Sequence, residues 1–217
     1  MMNLLIYGAG GLAKEVYDIV ARSTPDKYEE IIFIDDYADE SRFYLSESIH
    51  FESILKRYDS SELEGVVAVG EPQYRELLTK KFENAGVRLA TIIDNTSVVS
   101  PTAFIDDGCI ICEYCTVHSN VHIGKSALIQ PYCCVGHDID FGDYSVMSAT
   151  CTPGGGSSFG KRVYMGMNAS SKEKIQIGND VIIGMGAAVF KDIPDGMTVI
   201  GNPARITKGN DEHKVFS

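Results

Sequence analysis

The sequence predicts a small parallel α/β domain followed by a parallel β-helix. Three observations carry this. From Val99 to Val189, large apolar residues recur every sixth position, with only Pro153 and Ser171 departing. A second row four places later, from Ala103 through Cys133 and Val163 to Ile193, is small or aliphatic throughout. Ahead of the repeat, short apolar runs alternate with helical stretches, and the first run ends in a glycine-rich turn.

A period of six suits neither a helix nor a two-sided strand. It is the signature of a solenoid in which each hexad supplies one flat strand and one turn, with both rows pointing into a narrow prism. A third row, which includes Gly124, Gly136, Gly142, Gly154, Gly160, Gly166, Gly178 and Gly184, is expected at corners that need positive φ.

In chain order, Asn3 to Tyr7 reads as a strand ending in Gly8-Ala9-Gly10-Gly11-Leu12-Ala13, and a helix follows through Val20. Ile31 to Ile34 is a second strand, closed by Asp35-Asp36 and an acidic loop. Phe51 to Tyr58 suggests a short helix, and Gly65 to Val69 a third strand ending at Gly70. Pro72 to Asn84 reads as a helix with proline in its first turn. Arg88 to Ile93 is expected as a fourth strand. This alternation implies a Rossmann-like sheet under helices. The domains are expected at 1–94 and 95–207, with a loose polar tail at 208–217. The segment KDIPDGMTVIGNPAR should cap the prism's open edge.

The net charge of −11 argues against a broad nucleic-acid footprint. No apolar run is long enough for a membrane span, and no signal peptide is apparent, so a cytoplasmic location is expected. Cys109, Cys112 and Cys115 have metal-site spacing. Since Cys109, Cys115, Cys133 and Cys151 occupy the small inward row, they read as core residues, and no metal is expected.

The G-x-G-x-x-A turn lets backbone approach a phosphate at a helix N-terminus. With an acid twenty-odd residues later it is also a dinucleotide fingerprint, which keeps an NAD-linked oxidoreductase open. The unit is about half a full dinucleotide fold, which favours a nucleotide diphosphate attached to something else.

His137 and Asp138 in V-G-H-D-I-D belong to neither inward row and should project from the prism surface. Eighteen residues on lie Gly155 and Gly156, which leaves a slot beside the histidine; eighteen back lie Ser119 and Asn120. Histidine, with a reference pKa of about 6.5, suits general base catalysis at neutral pH. An adjacent carboxylate can fix its tautomer. His122 should pair with Asp140, and His118 is a secondary base candidate.

Together, GAGGLAKEV, Asp35-Asp36, GHD and the hexads resemble the PglD/NeuD-type nucleotide-sugar acetyltransferases, over nearly the whole chain from Leu4 to about Arg205. The resemblance implies a left-handed β-helix in which three hexads make one coil. It implies acetyl-CoA as co-substrate and a nucleotide-linked or sialic-acid-like sugar as acceptor, by O- or N-acetylation. It places the acceptor's diphosphate near Gly8, Gly10 and Gly11, its nucleoside toward Asp35 and Asp36, and Gly70 at the third strand's end. It makes His137 and Asp138 the catalytic pair, and it puts Gly155, Gly166, Met167 and Met185 beside the coenzyme arm. A bacillosamine acetyltransferase of this kind has a second histidine nine residues after the first; here that position is Val146, so another group must hold the thioester carbonyl. A homotrimer is expected, because a lone prism would leave His137 in water. The rival to an enzyme is a binding module for the sugar nucleotide without chemistry.

Overall fold

The structure, a computed structural model, describes residues 2–36, 42–43, 46–47 and 49–216. The N-terminal domain runs β1 (Met2–Tyr7), α1 (Gly11–Ser23), β2 (Tyr28–Ile34), β3 (Arg42–Phe43), β4 (Ser46–Glu47), α2 (Phe51–Ile54), β5 (Leu63–Val67), α3 (Pro72–Asn84) and β6 (Arg88–Leu89). Its main sheet is parallel, in the order β2-β1-β5-β6. Alternate residues of β1 face opposite layers, as a pleated strand requires. Leu4 and Ile6 pack with Ala13, Val16 and Ile19 of α1. Leu5 and Tyr7 pack with Phe51 and Phe82 on the other side. Burial on both faces is why these strands read as continuous apolar runs. Most of the acidic loop after Asp36 lies outside the described residues.

The strand expected over 88–93 divides. Arg88–Leu89 completes the sheet beside β5, whereas Ile92–Ile93 pairs with Ile110–Ile111 as the first rung of the prism. From there the chain winds as a left-handed β-helix of two-residue strands. Each strand pairs in parallel with one eighteen residues away, such as Ile110 with Leu128 and Leu128 with Val146. The first face stacks Ile92–Ile93, Ile110–Ile111, Leu128–Ile129, Val146–Met147, Tyr164–Met165 and Ile182–Ile183. The second carries Val98–Val99, Thr116–Val117, Cys134–Val135, Ser170–Ser171 and Ala188–Val189. The third begins at Phe104–Ile105 and ends at Gln176–Ile177. The inward rows form one continuous buried core.

The reason expected for the glycine row is corrected. None of its members has a positive φ; that conformation falls on every sixth residue from Gly108 to Gly186, including Tyr114, Asn120, Tyr132 and Asp138. The glycines are instead required by the next coil's backbone. A Cβ on Gly142 would lie 2.3 Å from the Gly160 carbonyl oxygen, and one on Gly160 would lie 2.7 Å from the Asn179 nitrogen.

The small inward row also has a polar task. The thiols of Cys109, Cys133 and Cys151 donate to the carbonyls of Gly124, Ser148 and Gly166 at 3.1, 3.1 and 3.2 Å. The hydroxyl of Ser145 does the same to Gly160 at 3.1 Å. A small side chain with one donor therefore fits where a methyl would leave a buried carbonyl less satisfied.

Outward residues of the first face, Ile92, Ile110, Leu128 and Val146, join Cys112 and α1 in a shared core. Burying each such side chain contributes about 1.5–3 kcal/mol. Polar ties reinforce this seam. Arg75 of α3 is fully buried, and its guanidinium donates to the carbonyls of Ser126, Val67 and Val69 at 2.7–2.8 Å. Burial without a carboxylate lowers its pKa to about 10. Arg162 bridges Asp180 and Glu76 of α3. The N-terminal domain thus sits on the first face.

Met197–Ile200 adds a last parallel strand on Ile182–Ile183, and Arg205–Gly209 returns antiparallel to it, closing the edge. The tail expected to be loose is docked. Asn210 donates to the Asp180 carbonyl at 2.9 Å, and the Val215 and Phe216 amides donate to the Glu71 carboxylate.

Candidate active site

Two sites emerge, one in each domain. The first is a cleft of about 610 Å³ across the C-terminal ends of β1, β2 and β5. Gly8, Gly10, Gly11, Asp35 and Gly70 all line it, together with Tyr74 and Leu77 of α3. The three turn glycines have different reasons. Gly8 has φ +125°, and a Cβ there would lie 2.7 Å from the Ala68 carbonyl oxygen, so packing requires it. Gly10 and Gly11 have open space where a Cβ would be. They leave the N-terminus of α1 bare, with its free amides and positive dipole end facing the cleft. This arrangement can hold an anion such as a diphosphate.

Asp36 is turned from its neighbour's cleft. It pairs with Lys81, accepts from the Tyr7 hydroxyl, and accepts from the Phe51 amide at 2.9 Å, capping α2. Burial alone would raise its pKa, but these three donors together hold it below the ordinary carboxylate range. Asp35 and Asp36, adjacent in sequence, therefore face a cleft and a brace respectively.

The second site is on the prism, at the corner between the second and third faces. His137 and Asp138 form the turn between Cys134–Val135 and Asp140–Phe141. Asp138 adopts φ 55° there, and its amide donates to the Ser119 carbonyl at 2.9 Å. Its carboxylate lies 2.6 Å from His137 Nδ1 and accepts from the Asn120 amide at 3.1 Å. First the His137 bond and then the Asn120 bond lower its pKa, so it is ionised at neutral pH. An ionised carboxylate only accepts, so Nδ1 carries a proton, and in the neutral imidazole Nε2 is the nitrogen with the lone pair.

The imidazole ring lies against the expected slot. A Cβ on Gly155 would lie 2.9 Å from His137 Nε2, and the Gly156 amide donates to the His137 carbonyl at 2.8 Å. Any side chain at 155 would press on the imidazole. Pro153 lies one coil beyond Val135, where a single bridge from Thr152 to Ser170 stands in place of a two-residue strand. The His137 side chain is 70% exposed.

The remaining expected coenzyme residues lie elsewhere on the chain. Met167 and Met185 occupy the corner between the first and second faces and are 51% and 71% exposed, so they are not core gap-fillers. Gly166 is needed for coil stacking, since a Cβ would lie 2.6 Å from the Met185 nitrogen. Within one chain Gly155 joins His137, while Gly166, Met167 and Met185 form a separate group across the second face. Val146 is buried against the N-terminal domain, facing away from His137.

His122 bridges Asp106 and Asp140 at 3.1 and 3.0 Å, the expected ion pair with a second acid added. His118 lies 3.8 Å from the Cys134 thiol. The C-x-x-C-x-x-C run scatters: Cys109 and Cys115 point into the prism and Cys112 into the interdomain core. Among the described residues, no group of three His, Cys, Asp or Glu side chains is placed to hold a metal. Among the same residues, no helix is long and apolar enough to cross a membrane.

Residues 3–82 match the family model of the PglD N-terminal domain. The acetyltransferase domain of PglB from Neisseria gonorrhoeae FA1090 is 29% identical, with a TM-score of 0.88 over 95% of this chain and 100% of that one. The same domain has been solved with acetyl coenzyme A. A histidine-to-alanine mutant of GDP-perosamine N-acetyltransferase from Caulobacter crescentus, in complex with CoA and GDP-perosamine, is 27% identical. Its TM-score is 0.79 over 96% of this chain and 98% of that one. WeeI from Acinetobacter baumannii AYE is 27% identical, with a TM-score of 0.77 over 95% and 100%. Along nearly its whole length the chain is similar to PglD-like nucleotide-sugar acetyltransferases, as its motifs imply.

Proposed function

We propose that this protein is an acetyltransferase that moves the acetyl group of acetyl-CoA to an amine of a nucleotide-linked sugar, with His137 as general base. The observation that carries the reading is the oriented His137–Asp138 pair, whose imidazole lies against the Gly155 slot. Asp138 holds the Nδ1 proton and stabilises the imidazolium that forms. His137 Nε2 takes a proton from the acceptor amine as its nitrogen bonds to the acetyl carbon. The same proton then goes to the thiolate released when the carbon–sulfur bond breaks. No residue of this chain becomes acylated in this scheme. The similarity to an N-acetyltransferase solved with GDP-perosamine supports an amine acceptor over a hydroxyl.

The placement of the sites supports a homotrimer. The N-terminal domain covers the first face, so its cleft cannot fold back over His137 at the opposite corner. The second face lies between the His137 corner and the Met167/Met185 corner, and after an exposed Val98 its outward row is small: Thr116, Cys134, Thr152, Ser170 and Ala188. In a threefold ring closed through this face, each His137 corner meets a neighbour's methionine corner and cleft side. A thioester arm would then lie between Gly155 of one subunit and Met167 and Met185 of the next. The ring would also exclude water from an imidazole that is open in one chain.

Mass spectrometry of a panel of UDP-, GDP- and CMP-linked amino sugars after incubation with acetyl-CoA tests the reaction. A mass gain of one acetyl group on at least one member is expected with the wild type. His137→Ala should lower turnover by about 10²–10⁴ while retaining acetyl-CoA binding. Wild-type turnover in folded His137→Ala protein would contradict the role.

A further inference from the structure

We propose that Phe216 is a platform for the sugar ring of the acceptor, held in place by Glu71. The inference rests on the nucleotide-sugar reading and names a residue that neither the cleft motif nor the catalytic corner contains. Its first premise is direction. In the sheet order β2-β1-β5, Asp35 follows β2, the bare N-terminus of α1 follows β1, and Gly70 follows β5. A ligand with its nucleoside by Asp35 and its diphosphate over Gly10 and Gly11 therefore continues toward Gly70.

Phe216 stands beside that end. Its ring comes within 3.8 Å of the position a Cβ would take on Gly70, and the residue is 55% exposed. The ring is steadied by an edge-to-face contact with Tyr164, centroids 5.4 Å apart at 84°. The hydroxyl of Tyr164 accepts from Ser148 at 3.0 Å. Ser148 lies at the corner that the trimer would turn toward a neighbour's His137. The ring is thus on the route from the diphosphate site to the reacting corner.

The backbone around Phe216 is anchored in an unusual way. Glu71 is only 5% exposed, and its carboxylate accepts from the Val215 amide at 3.1 and 3.0 Å and from the Phe216 amide at 2.9 Å. A buried carboxylate needs such donors, so Glu71 and the tail hold each other. Glu71 is a positioning residue: it acts through the ring it places. An exposed aromatic ring presents a negative face to polarised C–H groups, which line one side of a pyranose. A deoxy amino sugar, with more C–H surface than a fully hydroxylated one, matches it best.

Titration calorimetry on the full chain tests this with GDP- and UDP-linked amino sugars and the free diphosphates GDP and UDP. Phe216→Ala should weaken binding of the sugar nucleotide by about five-fold and leave the free diphosphate within about two-fold. Phe216→Tyr should restore the wild-type constant, and Glu71→Ala should behave as Phe216→Ala. Unchanged sugar-nucleotide binding in Phe216→Ala would overturn the platform. So would an equal loss for the free diphosphate, which indicates a structural role only. If the wild type binds no sugar nucleotide, the acceptor reading itself fails; if it binds one and Phe216→Ala is neutral, only the platform fails.

Discussion

Asp138 makes an exposed histidine into an oriented one. An imidazole that is 70% exposed would otherwise sample many rotamers, and only some would lay the ring against the Gly155 slot. The carboxylate at 2.6 Å selects one ring orientation and one tautomer, while Asn120 holds the carboxylate from the coil below. Asp138→Asn keeps the shape but loses charge, so kcat should fall by about ten- to hundred-fold, less than for His137→Ala. Steady-state kinetics with saturating acetyl-CoA checks the order; a larger loss in Asp138→Asn than in His137→Ala would reverse the assignment. The outward placement of this pair was legible in the sequence, because the six-residue phase puts positions 137 and 138 outside the inward rows, while its catalytic role came from the resemblance carried by GHD. Arg75 and Asp36 were not legible. Each sits in a stretch with ordinary local polarity, and only the docking of α3 on the prism and of Lys81 on Tyr7 gives them buried partners.

At the scale of elements, the coil corner shows how one pattern can be recognised for an incomplete reason. The glycine row was visible, but glycine serves both positive φ and close approach, and sequence does not separate them. The structure does: the tight contacts fall on Gly124, Gly142 and Gly160, while positive φ falls on residues such as Tyr132 and Asp138. Gly142→Ala should therefore cost about 2–3 kcal/mol, since the added carbon would meet the Gly160 carbonyl oxygen at 2.3 Å. Gly10→Ala, with open space at its Cβ, should change stability by less than about 0.5 kcal/mol. Urea unfolding midpoints compare the two, and equal midpoints would show that the coils can part without penalty. The strand over 88–93 divides for a related reason. The short stretch RLATII cannot show that Ala90 and Thr91 carry the chain out of one sheet and into another.

In the whole molecule, one choice governs the function: which face of the prism the N-terminal domain covers. Outward apolar residues at Ile92, Ile110, Leu128 and Val146 put it on the first face. This separates the glycine-lined cleft from the His137 corner of the same chain. These outward positions are apolar, a trace of the covered face that the inward rows alone do not point to. Nothing in a single hexad showed what would cover it. In the ring proposed above, the cleft of one subunit therefore serves His137 of another.

Subunit exchange between two inactive variants tests that claim most directly. His137→Ala chains keep the cleft but lack the base. Gly10→Val chains keep the base but fill the space over the α1 N-terminus, which should raise the acceptor KM strongly and leave the acetyl-CoA KM nearly unchanged. Acetylation is measured at an acceptor concentration below the variant's KM, before and after mixing and exchange. The account predicts that the mixture recovers a substantial fraction of wild-type activity, because mixed rings pair an intact cleft with a neighbour's intact His137. A mixture that stays as inactive as its components, with exchange verified by native mass spectrometry, would contradict it.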